Sequence, residues 1–286
     1  MRKPLLGLVL CIGLAVPSGV AVAGSENLSA LPLLDLNGDF VPVRYSAGSL
    51  HRAAQLQQSF ELLAAQFARF SDSRARLQLL LLSRDEWEGA ALGQPYGVAM
   101  RVFDHGIAVA AWGDSGTVEL WQRLLGGELP SAEDAPMRSS EDEAAGLQAA
   151  DVLALFEGAR ILTAAAGYGG AEPWIGDLVS HVVALTALAR LPGGIRQADV
   201  VYRALGRVRA PSDLRTYAGG LSLEQWLAFQ ARFHAGAVLV LEQEKRGTLR
   251  SIVKLAKKSR GRLRADQLAQ RYPALRVWLE SFGSNQ

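Results

Sequence analysis

Asp151-Val-Leu-Ala-Leu-Phe156-Glu157-Gly158-Ala159-Arg160-Ile-Leu-Thr-Ala-Ala-Ala166 is followed, across a Gly-rich loop, by Pro173-Trp174-Ile175-Gly176-Asp177-Leu178-Val179-Ser180-His181. Apolar residues recur on every turn of both stretches, and each reads as a helix. Against that apolar background the charged and titratable residues stand out: Glu157, Arg160, Asp177 and His181. Glu157 and Arg160 are three apart, and Asp177 and His181 four apart, so the two members of each pair share a helix face.

Position for position, Phe156-Glu157-Gly158-Ala159-Arg160 stands where a zinc metallopeptidase carries His-Glu-x-x-His. With the Pro-Trp-Ile-x-Asp segment that follows, the chain resembles the gluzincin clan, more narrowly its peptidase MA-like family. There a Trp-Leu-x-Glu-Gly-Leu-Ala-Glu segment follows the zinc helix. The resemblance implies that Phe156 and Arg160 occupy the positions of the two histidine ligands. It likewise puts Glu157 at the general base and Asp177 at the third ligand. His181 stands where the family has an acidic residue in the shell around the metal.

Two imidazoles four apart on a helix grip a zinc ion that activates water. Phenylalanine has no lone pair to offer and guanidinium is permanently cationic, so neither ligates zinc. The expectation is therefore a zincin-like α+β fold without its zinc and without another cofactor. Functionally it implies a catalytically inactive metallopeptidase-like protein that binds a peptide or protein partner in the former active-site cleft. Two alternatives stay open. One is an active metal-dependent hydrolase with a rearranged site of Glu157, Asp177 and His181, since carboxylate and imidazole both bind zinc. The other is a structural envelope protein without a ligand. Without a metal, Glu157 and Asp177 would repel each other, so Arg160 is expected to bridge them; the alternative is an Arg160 that faces solvent. Asp177 and His181 could form a hydrogen-bonded pair.

Residues 1–23 read as a signal peptide: basic Arg2 and Lys3, an apolar core from Leu5 to Val16, and Ala21-Val22-Ala23 as a small-x-small cleavage site. The apolar run falls short of the roughly 20 residues that span a bilayer, so no transmembrane segment is expected and the destination is periplasmic or secreted. The chain has a single cysteine, Cys11, inside that segment. Disulfides therefore cannot support the mature fold. Acidic residues outnumber basic ones before residue 200 and the reverse holds after it. The stretch Lys245 to Arg264 is densely basic, with no acidic residue. It also lacks the aromatic side chains on which bases stack, which argues against nucleic acid.

The organisation divides in two. Residues 24–145 are expected to form an N-terminal lobe with a small, mainly antiparallel sheet: a strand at 40–45, a helix at 50–70, a strand at 76–83 and a hairpin from the runs 98–103 and 107–112. Residues 130–145 read as a surface loop, with Ser140 and Glu143 as a capping box for the next helix. Residues 146–286 read as a helical lobe that carries the degenerate zinc helix, the two lobes forming one domain. Helices fall near 146–166, 174–190, 195–206, 221–243, 247–258, 265–271 and 273–283, and Ser222 with Gln225 supplies another capping box.

Gly113-Asp114-Ser115-Gly116 matches the nucleophile motif of trypsin-like serine proteases. It arrives early, between a strand and a helix, with no matching histidine segment. Ser115 as a helix cap is the expected role. His51, His105 and His234 match no metal spacing and are expected in surface or structural roles.

Overall fold

Two β runs separated by an amphipathic helix pair in parallel when the helix carries the chain back to its starting edge. In the computed structural model this is what Val43–Tyr45 and Gln78–Leu82 do around the helix Leu50–Ala68. Described are residues 25–71, 75–102, 106–124, 143–207, 213–218, 220–244 and 247–282. The signal segment 1–23, residues 130–142 of the expected surface loop with Ser140 of its capping box, and His105 lie outside the described residues, while residues 143–145, expected in that loop, are helical.

The elements in chain order are α1 (Ser25–Ser29), β1 (Leu34–Leu36), β2 (Val43–Tyr45), α2 (Leu50–Ala68), β3 (Gln78–Leu82), α3 (Arg84–Gly89), β4 (Met100–Val102), β5 (Ile107–Ala111) and α4 (Ser115–Leu124). Then come α5 (Glu143–Ala165), α6 (Pro173–Leu188), α7 (Gly194–Leu205), a 3-10 turn (Leu214–Ala218), α8 (Leu223–Glu244), α9 (Thr248–Lys258), α10 (Ala265–Arg271) and α11 (Ala274–Glu280). The class is α+β: a five-stranded sheet in the first part and helices after residue 143. Among the described residues no helix is long and apolar enough to cross a membrane.

The sheet order is β1-β2-β3-β5-β4. It is mixed, which corrects the expectation of a mainly antiparallel sheet. β1·β2 and β4·β5 are antiparallel, while β2·β3 and β3·β5 are parallel. The α2 crossover dictates the first parallel pair, and the excursion through α3 and β4 the second. β3 and β5 are central and buried on both faces, which is why Leu79–Leu82 and Ala108–Ala111 are uninterrupted apolar runs. One face packs Leu79, Leu81, Ala108 and Ala110 under Phe60, Trp121 and Leu153; the other packs Leu80, Leu82 and Val109 against Trp87, Met100 and Val102.

α5 lies between the sheet and the helices, packed on β5 and β4 on one side and α6 on the other. Gly158 permits part of this approach. A Cβ there would meet the Phe60 ring at 2.8 Å, so α2 and α5 touch closely at that turn. Arg52 of α2 also pairs with Asp151 at the start of α5's buried stretch, 2.8 Å through Nη1. The Ser222–Gln225 capping box forms, with mutual hydrogen bonds of 3.0 and 3.2 Å. At α4 the cap is Asp114, not Ser115. Its Oδ1 accepts from the Thr117 amide at 2.9 Å, and the same carboxylate holds Arg84 at 3.1 Å. A carboxylate has lone pairs for both partners.

Candidate functional site

α5 is apolar around most of its circumference, so the few polar side chains it carries are forced inward. Glu157 is 1% exposed and Arg160 8%. α6 is similarly enveloped and contributes Asp177, 4% exposed, and His181. At the α5–α6 contact the guanidinium of Arg160 lies between two carboxylates: Nη1 is 3.1 Å from Glu157 Oε1, and Nε is 2.6 Å from Asp177 Oδ1. The expected bridge is present, and the solvent-facing alternative is not.

The sheet supplies a second cation. Arg101, in the edge strand β4, reaches Glu157 Oε2 at 2.6 Å. Glu157 is thus clamped between a strand arginine and a helix arginine, one on each oxygen. Asp177 has a different set of partners. Its Oδ2 accepts from the Tyr217 hydroxyl and from the Gln230 amide at 3.1 Å. Two cations and two carboxylates balance within this network.

Asp177 and His181 do not pair directly; Gln230 of α8 joins them. Its amide nitrogen donates to Asp177, which accepts only, so its oxygen is the atom that faces His181 Nε2 at 3.0 Å. The carbonyl oxygen cannot donate, and this fixes the proton of neutral His181 on Nε2. The His181 ring stacks on Phe156, with centroids 4.0 Å apart and planes 19° from parallel, and meets Tyr202 edge-on at 5.0 Å. Tyr202 stacks in turn on His234 at 4.4 Å, and His234 Nε2 lies 2.7 Å from Asp199 Oδ1. His234 is therefore a buried structural histidine, while His51 is exposed near the start of α2 beside Gln55. Phe156 and Trp226 flank the Arg160 guanidinium at 5.5 and 5.9 Å.

Electrostatics follow from burial and partners together. Burial opposes ionisation of Glu157, yet Arg101 and Arg160 together outweigh it and hold its carboxyl below the ordinary glutamate value. Burial likewise weighs against the Arg160 cation, but Asp177 and Glu157 raise its pKa. For His181 nothing opposes burial sufficiently: desolvation, then His234 and Arg160, push its pKa well below the usual value, and the ring stays neutral. Tyr202 and Tyr217 are raised well above theirs, chiefly by burial, and stay protonated.

Every predicted site residue meets here: Phe156, Glu157, Arg160, Asp177 and His181. Among the described residues no group of three or more His, Cys, Asp or Glu side chains is assembled to hold a metal ion. The polar atoms of Glu157, Asp177 and His181 are turned to Arg101, Arg160, Tyr217 and Gln230 instead. A groove of about 790 Å³ lies elsewhere, lined among others by Leu28, Phe40, Leu77 and Ile107, and includes none of the network. Sequence reasoning missed Arg101, Tyr217 and Gln230. Arg101 had a signal, as the charged residue inside the apolar run 98–103; the other two had none. No family model matches the chain, and neither a curated protein nor a solved structure does.

Proposed function

We propose that this chain is an exported, catalytically inactive metallopeptidase-like protein of zincin-like fold that binds an extended peptide or protein segment. One observation carries the reading: the Arg160 guanidinium bridges Glu157 and Asp177, and on the zincin-like reading this puts a fixed cation in place of the metal. Glu157 supports it further. A general base works best with a pKa near the operating pH, whereas Arg101 and Arg160 depress that of Glu157. The basic and apolar segment 1–23 supports export.

Binding would use β4, which among the described residues ends the sheet with β5 as its one strand neighbour. An extended segment adds to such an edge through main-chain hydrogen bonds, with alternate side chains reading the partner. The purified mature protein tests this in two ways. Metal analysis and a peptidase assay with added zinc are expected to give neither stoichiometric zinc nor hydrolysis. Hydrogen exchange during a screen of unstructured peptides is expected to show protection at 100–102. Stoichiometric zinc with hydrolysis abolished by Glu157→Gln would overturn the inactive reading, and no peptide protecting β4 would overturn the binding mode.

A further inference from the structure

α9 is strongly amphipathic. Leu249, Ile252, Val253 and Ala256 are buried against α6 and α8, and Arg250, Lys254, Lys257 and Lys258 are exposed on the opposite side. The chain after the helix adds exposed Arg260 and Arg262. No acidic residue occurs from 245 to 264. Among the described residues Arg250, Lys254, Lys258, Arg260 and Arg262 have no carboxylate within ion-pair distance, unlike Arg264 with Asp266 and Arg271 with Glu244. Arg250 is steered instead over the Phe70 ring, 5.7 Å from its centroid.

Such a face works against the helix that carries it. Arg250–Lys254 and Lys254–Lys258 are like-charge pairs at i,i+4, which destabilise a helix. Lys257 and Lys258 repay this partly, since cations suit a helix C-terminus. Arg250 and Lys254 lie too far from that end to do so. A chain that holds carboxylates in near-equal number to its cations places none, among the described residues, within ion-pair distance of Arg250, Lys254, Lys258, Arg260 or Arg262. The missing anions are therefore to be sought outside the molecule.

We infer that the exposed face of α9, extended by Arg260 and Arg262, docks the protein peripherally on a bilayer of anionic phospholipid. Residues 250, 254 and 258 recur at i, i+4 and i+8, one helix face about 12 Å long at 1.5 Å per residue, which suits a plane of headgroups. The apolar side of α9 is already committed to the protein core, so contact stops at the headgroups and is electrostatic. The stretch offers no aromatic ring for base stacking, which disfavours single-stranded nucleic acid.

Co-sedimentation of the mature protein with vesicles tests this. Vesicles of phosphatidylcholine with about a third phosphatidylglycerol are expected to retain it at low salt, pure phosphatidylcholine is not, and added salt releases it within the screening range. A triple charge reversal, Arg250→Glu with Lys254→Glu and Lys258→Glu, is expected to weaken partitioning by at least about 100-fold, each basic residue near an anionic surface being worth roughly fivefold. The same change in net charge made at exposed positions elsewhere, Arg76→Glu with Arg190→Glu and Arg203→Glu, is expected to leave most of the binding. Equal retention on neutral and anionic vesicles would overturn the inference. So would equal losses in the two triple variants, or tighter binding to a single-stranded oligonucleotide than to the anionic vesicles. Thermal melts of both variants establish that each is folded.

Discussion

Replacing Arg160 by alanine removes the one cation shared by the two helices, and the structure indicates where the cost falls. Glu157 keeps Arg101 at 2.6 Å and remains paired. Asp177 keeps only the neutral donors Tyr217 and Gln230. The variant therefore carries a buried carboxylate, 4% exposed, with no counter-ion. Breaking a buried pair in this way costs about 3–5 kcal/mol. Against a total stability of about 5–15 kcal/mol, that would lower the melting temperature by roughly 6–20 °C for a chain of this size. Arg160→Met keeps most of the buried stem and should lose nearly as much, because charge and not volume sets the cost.

The partner is identified by a double-mutant cycle in urea. Asp177→Asn in the Arg160→Met background restores the balance of Arg101 with Glu157 and is expected to recover about 1–3 kcal/mol. The pH dependence has a definite sign. Without Arg160 the buried Asp177 carboxylate has no counter-ion, and burial penalises its charged form. The folded variant then binds the extra proton, so its deficit is largest near neutral pH and shrinks as pH falls. An Arg160→Ala protein that unfolds at the wild-type midpoint, or a deficit indifferent to Asp177→Asn, would refute the argument.

Two further outcomes are expected. His181 stays neutral in the fold but titrates near 6.5 when unfolded. Its contribution is thus complete above that pH and lost below it, by up to about 1.4 kcal/mol per pH unit; urea titrations from pH 7.5 to 5 should show a slope that His181→Gln reduces. Phe156→His combined with Arg160→His would place two imidazoles beside Asp177, and the double variant should bind zinc stoichiometrically and gain about 2.7 kcal/mol at a hundredfold excess over its Kd; calorimetry without a zinc response would count against the zincin-like reading.

The sequence disclosed what is local. The helical periods around 151–166 and 174–190, the Ser222–Gln225 box and the strand–helix–strand order are all written within one or two turns of chain. The Arg160 bridge was legible for another reason. Two carboxylates driven into an apolar interior need a cation, and Arg160 shares Glu157's helix face. The mixed sheet was legible too, from the α2 crossover, but the expectation followed the hairpin of the runs 98–103 and 107–112 towards antiparallel pairing. Illegible were contacts that only the fold closes. Arg101 meets Glu157 across 56 residues and Gln230 meets Asp177 across 53, with no periodicity linking them. The cap of α4 was misjudged between two adjacent cap-competent residues, Ser115 and Asp114; Asp114 caps the helix and also holds Arg84, 30 residues away.

A guanidinium and a zinc ion can do the same mechanical work here while excluding each other's chemistry. Both are cations able to join Glu157 to Asp177 and so pin α5 to α6. Zinc holds its ligands with an open position for water and turns that water into a nucleophile. Arg160 has five donors and no acceptor, cannot give up its proton, and has no site at which water becomes acidic. What it offers is a charge that does not vary with pH or metal supply. Arg101 adds a second cation from the sheet side. In binding the second oxygen of Glu157, it covers the carboxylate that a catalytic water would need and ties edge strand β4 to α5. If β4 receives a peptide as proposed, the strand that binds is held in place by the residue that occupies the base. Arg101→Gln should therefore weaken peptide binding without creating hydrolysis, because Arg160 still spans the two acids.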